Sequence, residues 1–176
     1  AEQGGGHGEI DIHSGEKIRP LDPDSAKIEL KDIAHALAHV GRFAGQGEDF
    51  HSVARHSVHV SHEVEARGGS MEARRLALVH DAAEAYLSDV PGPVKKSLPG
   101  YKHAEDRLDD AILDALGIEA TDESLVKKAD KAVGKHELSV QFPKANHEGA
   151  EKLNHDPDIV DRSERDKKIS LSRARN

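Results

Sequence analysis

Cysteine and tryptophan are absent from the 176 residues, and aromatic side chains are scarce, with three phenylalanines and two tyrosines. Without thiols there is no disulfide, no thiolate nucleophile and no Cys-type zinc site, and a cytoplasmic location is the natural expectation. No apolar run approaches the twenty or so residues needed to cross a bilayer, so no membrane partner is expected. The opening Ala1-Glu2-Gln3-Gly4-Gly5-Gly6 lacks the basic-then-apolar order of a secretory signal, which again suits a soluble protein.

An excess of positive charge is missing too. The 33 acidic residues outnumber 25 basic ones, giving a formal charge of −8. Phosphate backbones demand a basic surface, so duplex nucleic acid is excluded as the main partner. A small anionic substrate stays compatible where a metal and local arginines compensate. Histidine, by contrast, is plentiful: 13 residues in a chain with so few aromatics invite a metal hypothesis. The length suits one domain with a real core.

Residues 1–8 are glycine-rich and expected to be disordered. Residues 9–142 read as one domain. Its first part, 9–20, alternates polar and apolar residues on either side of Ser14-Gly15-Glu16 and predicts a small hairpin. Leu21-Asp22-Pro23-Asp24 is a turn. The helical core, 30–142, starts with Ile33, Leu37 and Val40 spaced at four and three residues and ends its first helix near Arg42-Phe43-Ala44-Gly45. A second helix, capped by Ser52, carries Val53, Val60 and Val64 on one stripe, with His56 among them. His59 and His62 fit exposed positions as well as functional ones. A third runs from Met71 through Leu76, Val79 and Ala83 to Leu87, and Pro91-Gly92-Pro93 marks its end. A fourth spans about His103 to Leu116, closed by Gly117. The fifth begins after Thr121 and continues at least to Glu137, with Lys127 and Lys128 outward and Asp130 on the inner edge. Residues 143–176 form a polar extension with one weak helix, packed on or trailing the domain. The fold class is therefore all-α, a bundle of five or more helices with a small N-terminal β-hairpin.

The central stretch Leu78-Val79-His80-Asp81-Ala82-Ala83-Glu84 carries the chemistry. Neighbours on a helix point about 100° apart, so His80 and Asp81 do not share a face, yet both can border one ion lying against the helix. Glu84, three residues after Asp81 and four after His80, returns to the same edge. Three helices thus each present an imidazole or carboxylate inward: His56, then His80 with Asp81, then Asp130. Two neutral nitrogens and two carboxylates suit a divalent Co, Mn, Fe, Ni, Zn or Mg ion with positions left for water and substrate.

The order H…HD…D resembles the HD-domain metal-dependent phosphohydrolase superfamily, whose members are all-helical and hold one or two divalent metals. Within it the chain is similar to the YfbR-like 5′-deoxynucleotidases. The likeness spans roughly residues 30 to 138 and rests on Arg42-Phe43, Ser52-Val53-Ala54-Arg55-His56-Ser57, His80 to Glu84, Asp89-Val90-Pro91-Gly92-Pro93-Val94-Lys95 and Ser124 to Asp130. It implies hydrolysis of the 5′-phosphate of (deoxy)ribonucleoside monophosphates, a small-molecule nucleotide partner and a homodimer. Glu84 and Asp89 would act on water or leaving group, while Arg42, Phe43 and Lys95 would contact substrate. Related enzymes hydrolyse deoxynucleoside triphosphates, and a non-catalytic HD scaffold that senses nucleotide or metal is the reading from another class. Two positions depart from the family: Phe43 stands where tryptophan is typical, and Arg55 precedes the first metal histidine in place of Glu or Gln.

Overall fold

The expected hairpin is present in the computed structural model, which describes residues 8–147, 149 and 152–162. Strands β1 (Ile10–Asp11) and β2 (Lys17–Ile18) pair antiparallel, Ile10 opposite Ile18 and Asp11 opposite Lys17. Gly15, at φ 90°, supplies the left-handed residue that the turn requires. The stretch expected to be disordered, 1–8, lies outside the described residues apart from Gly8, and so does the tail beyond 162.

Helices make up most of the rest. They are α1 (Leu30–His39), α2 (Val53–Ala66), α3 (Met71–Val79), α4 (Glu84–Leu87), α5 (Gly92–Lys95), α6 (Tyr101–Leu116) and α7 (Glu123–Gln141). Ser52 and Ser70 cap α2 and α3, each oxygen accepting an N–H three residues on. Gly117, at φ 61°, closes α6 as expected. Among the described residues no helix is long and apolar enough to cross a membrane.

Three boundaries differ from the sequence expectation, and two of them shape the site. Helix α1 ends at His39, not near Gly45, because Val40 turns extended and the chain pairs with the entry to α2. Arg42 N–H donates to His51 O at 2.8 Å and Val53 N–H to Val40 O at 3.0 Å. Phe43 and Ala44 then sit at φ 62° and 52°, which no right-handed helix permits. Arg42 is therefore held on a pinned loop. The expected single helix from Met71 to Leu87 also breaks, at His80–Ala83. Ala82, Glu84, Ala85 and Tyr86 donate to carbonyls three residues back, so the chain tightens here to about three residues per turn. Finally, α4 already ends at Leu87, where Ser88 turns to φ 67°, and Pro91-Gly92-Pro93 leads into α5, where proline is tolerated in a first turn.

Two apolar clusters form the interior. One joins Ile18, Ile28, Ile33, Leu37, Val53, Val79, Leu108 and Ile112; the other joins Val60, Val64, Leu76, Val126, Val133 and Leu153. With few aromatics available, the fill is aliphatic, and buried Ala73, Ala77, Ala129 and Ala132 let α2, α3 and α7 approach closely. Helix α2 runs through both clusters. Val53 belongs to the first and Val60 to the second, so His56 lies at their seam.

A polar chain fastens residues 152–162 to α2. Glu63, fully buried, accepts from the backbone of Asn154 and His155 and from His155 Nδ1 at 2.8 Å. His155 Nε2 meets His59 Nδ1 at 3.0 Å, His59 Nε2 meets Asp161 at 3.1 Å, and Asp161 takes a two-pronged grip from Arg55. His59 and Arg55 are thus structural here, engaged by the C-terminal segment and not turned loose to solvent. Burial holds the His59 ring down to about 4 against the opposing pull of Asp161. An unfolded chain binds a proton at this residue below pH ~6.5 that the folded protein refuses, so stability falls as pH drops from there toward 4. The contribution is at most about 3 kcal/mol. Thermal melts between pH 7 and 4.5 should show a shallower acid loss for His59→Gln than for wild type; identical slopes would remove His59 as the cause.

Candidate metal centre

His56, His80, Asp81 and Asp130 offer one ligand atom each, and these four atoms all lie within 4.8 Å of one another. Helix α2 supplies His56, the broken turn after α3 supplies His80 and Asp81, and α7 supplies Asp130. His56 Nε2 stands 3.0 Å from Asp130 Oδ1 and 3.7 Å from Asp81 Oδ2. His80 Nε2 stands 3.2 Å from Asp81 Oδ2 and 3.6 Å from Asp130 Oδ1. This group could hold a metal ion.

The rings are oriented for that task. His80 Nδ1–H donates to Ala77 O at 2.7 Å, and His56 Nδ1–H donates to Glu137 at 2.9 and 3.0 Å. With both Nδ1 atoms occupied as donors, both Nε2 atoms face the same space, the arrangement by which outer partners fix a ligand's tautomer. His80 Nε2 is buried without a hydrogen-bond partner, an atom whose burial is costly unless something pairs with it. Two neutral nitrogens and two carboxylates would balance a divalent cation, so the residues present fit such an ion. Exposure rises from His56, fully buried, through His80 and Asp81 to Asp130 at 42%, so the group opens to solvent on the α7 side.

Electrostatics bind the group tightly. Burial alone would raise the Asp130 carboxyl, but the His56 and His80 imidazoles beside it hold it far below the usual range. Burial likewise opposes charge on both imidazoles, yet Glu137 raises His56, and Asp81 with Asp130 raises His80. Glu84, by contrast, is pushed up to about 8, first by burial and then by the charges of Asp81 and Asp89, with Lys95 pulling the other way.

The remaining predicted residues lie around this group. Arg42 is turned inward, its Nε 3.2 Å from Glu137 and its Nη1 3.7 Å from Asp81. Phe43 packs edge-on against Phe142 at 5.5 Å between centroids, with the Arg42 guanidinium over its ring at 5.1 Å. One Asp89 oxygen accepts the Phe43 N–H at 3.1 Å and so fastens the Arg42 loop. Lys95 lies 3.7 Å from Glu84 and pairs with Glu105 at 2.5 Å.

Two residues went unnoticed in the sequence reading. Glu137 is 5% exposed and gathers His56, Arg42 and His51, the last at 2.8 Å. It lies seven residues after Asp130, two helical turns along the same face, and that spacing was the available signal. His51 precedes α2 in a loop, where no periodicity marks it.

No protein-family model matches the chain. It is similar to YfdR, an uncharacterized protein of Escherichia coli, with 41% identity over 103 residues, 58% of this chain and 55% of that protein. It is also similar to an uncharacterized protein of Rhodobacter capsulatus, 43% identical over 125 residues, 68% of this chain and 63% of the relative. The chain thus spans less than two thirds of the length of either relative.

Elemental analysis of purified protein should find a divalent ion that is lost in His56→Ala, His80→Ala, Asp81→Ala and Asp130→Ala; full occupancy in Asp130→Ala would sink this ligand set. Glu137→Gln should fold and still bind, with affinity about ten- to a hundredfold weaker by metal titration.

Proposed function

We propose that the protein is an HD-type, divalent-metal-dependent phosphohydrolase that removes the 5′-phosphate from (deoxy)ribonucleoside monophosphates. The observation that carries this reading is the assembly of His56, His80, Asp81 and Asp130 from three separate elements around one space, with an orphaned Nε2 aimed into it. The H…HD…D order read from the sequence supports the same conclusion.

A divalent ion held by His56, His80, Asp81 and Asp130 would supply Lewis acidity toward a phosphoryl oxygen and water. The protein's residues supply the rest. Arg42 presents a planar cationic fork beside Asp81, placed to grip phosphate oxygens. Glu84, buried and carrying a proton near neutrality, is suited to protonate the leaving alkoxide. Lys95, 3.7 Å from Glu84, favours return of the carboxylate after that transfer. Asp89 positions Arg42 and Phe43 through the loop it fastens.

The test is hydrolysis by metal-reconstituted protein of nucleoside mono-, di- and triphosphates, with products separated chromatographically. Monophosphates should yield nucleoside and inorganic phosphate; cleavage of triphosphates alone would replace this reading with triphosphohydrolase activity. Glu84→Gln should retain metal but lose about a hundredfold or more in kcat. Arg42→Ala should lose roughly tenfold or more in kcat/KM. Unchanged kinetics in the arginine variant would place the phosphate elsewhere.

A further inference from the structure

Helix α1 carries His35 and His39 one turn apart, and both side chains are exposed. Residues four apart on a helix lie on one face, so two such imidazoles can reach one ion, as paired histidines do in helical zinc sites. Their ring centroids stand 4.4 Å apart with the planes tilted by 31°. An ion held about 2.1 Å from a ring nitrogen lies roughly 3.2 Å from that ring's centre, so two rings sharing it stand about 4.5 to 5.2 Å apart. The pair is therefore close to chelating distance, and the soft outer torsion of histidine lets the rings turn onto a common point.

The surroundings prepare the pair. His39 Nδ1–H donates to His35 O at 2.7 Å, which leaves Nε2 as its lone-pair nitrogen. His13, from the turn between β1 and β2, stacks on His35 at 3.6 Å with the planes only 8° apart. Parallel rings aim their nitrogens side by side, so His13 covers one face of His35 and limits its motion without serving as a third ligand. Ser14 N–H, bonded to Asp32 Oδ1 at 2.9 Å, holds that turn against α1. Asp32 is itself buried, and its Oδ2 has no hydrogen-bond partner among the described residues, so its charge is left to favour a cation nearby. Lys31, one turn before His35, is neutralised by Glu29 at 2.9 Å. Desolvation first, then the neighbouring His13 and His39, hold the proton affinity of His35 below its ordinary value, against Asp32, so the ring is neutral at pH 7 and able to ligate.

We propose that His35 and His39 form a second transition-metal site, separate from the buried candidate centre, which takes Cu²⁺, Ni²⁺ or Zn²⁺ in preference to Mg²⁺ or Ca²⁺, with His13 orienting the His35 ring. Two imidazoles, with water completing the shell, suit such borderline ions, and Cu²⁺ binds tightest among them. An ion bridging residues 35 and 39 binds only the helical form. Its occupancy therefore stabilises the last turn of α1, from which the chain passes to the Arg42 loop.

Calorimetric titration of the full chain with Ni²⁺ tests this. Besides any tight binding by the His56 group, wild type should show a weaker class that His35→Ala and His39→Ala each remove and that Asp130→Ala keeps. Mg²⁺ should not compete for it, and His13→Ala should weaken it without removing it. In parallel, substoichiometric Cu²⁺ should broaden the ring signals of His35 and His39 in the NMR spectrum of the Asp130→Ala protein. A weaker class that survives both helix substitutions, or broadening spread over histidines elsewhere on the surface, His103 among them, would mean an adventitious ion only and overturn the site. Loss of the tight class alone, with the weaker one intact, would count against the buried centre and leave the α1 site standing.

Discussion

The bond between His56 and Glu137 is the constraint around which the site is arranged. His56 is fully buried between two aliphatic clusters, where a polar ring without partners would cost several kcal/mol. Glu137 answers one side of the ring, and its own buried charge is answered in turn by His51 and Arg42. The effect is to turn Nε2 toward Asp130 and Asp81. Paired in this way, the buried ring and carboxylate are held in one geometry.

The break between α3 and α4 does a second piece of positioning. In a continuous α-helix, Asp81 and Glu84 would lie about 60° apart, but at three residues per turn they nearly eclipse. Glu84 is thereby brought into the field of Asp81, which contributes to its raised proton affinity. Local tightening of a helix is thus converted into electrostatics. Asp89 extends the same logic by reaching across to the loop that carries Arg42.

Histidine abundance has more than one explanation. His56 and His80 belong to the candidate metal group, and His51 supports it through Glu137. His59 and His155 serve instead in the chain of hydrogen bonds that secures residues 152–162 to α2. His13 stacks on His35 at 3.6 Å beside the hairpin, well away from either group in sequence. A count of histidines therefore mixes ligation, fastening and surface stacking, and only their placement separates these.

The all-helical class, the small hairpin and the four candidate ligands were legible in the chain itself, because three- and four-residue periodicity records which face is buried, and His56, His80 and Asp130 fall on such faces. What periodicity cannot record is competition between distant segments. The early end of α1 follows from backbone pairing between 40–42 and 51–53, and nothing local to Val40 announces it. Glu137 and His51 acquire their roles only through neighbours supplied by other elements, since a carboxylate on a helix reads as solvated until its partners are seen. The sequence by itself determined which residue types could meet. Tertiary packing decided which of them share one space and which are spent on fastening the chain, because burial and pairing are properties of the assembled fold.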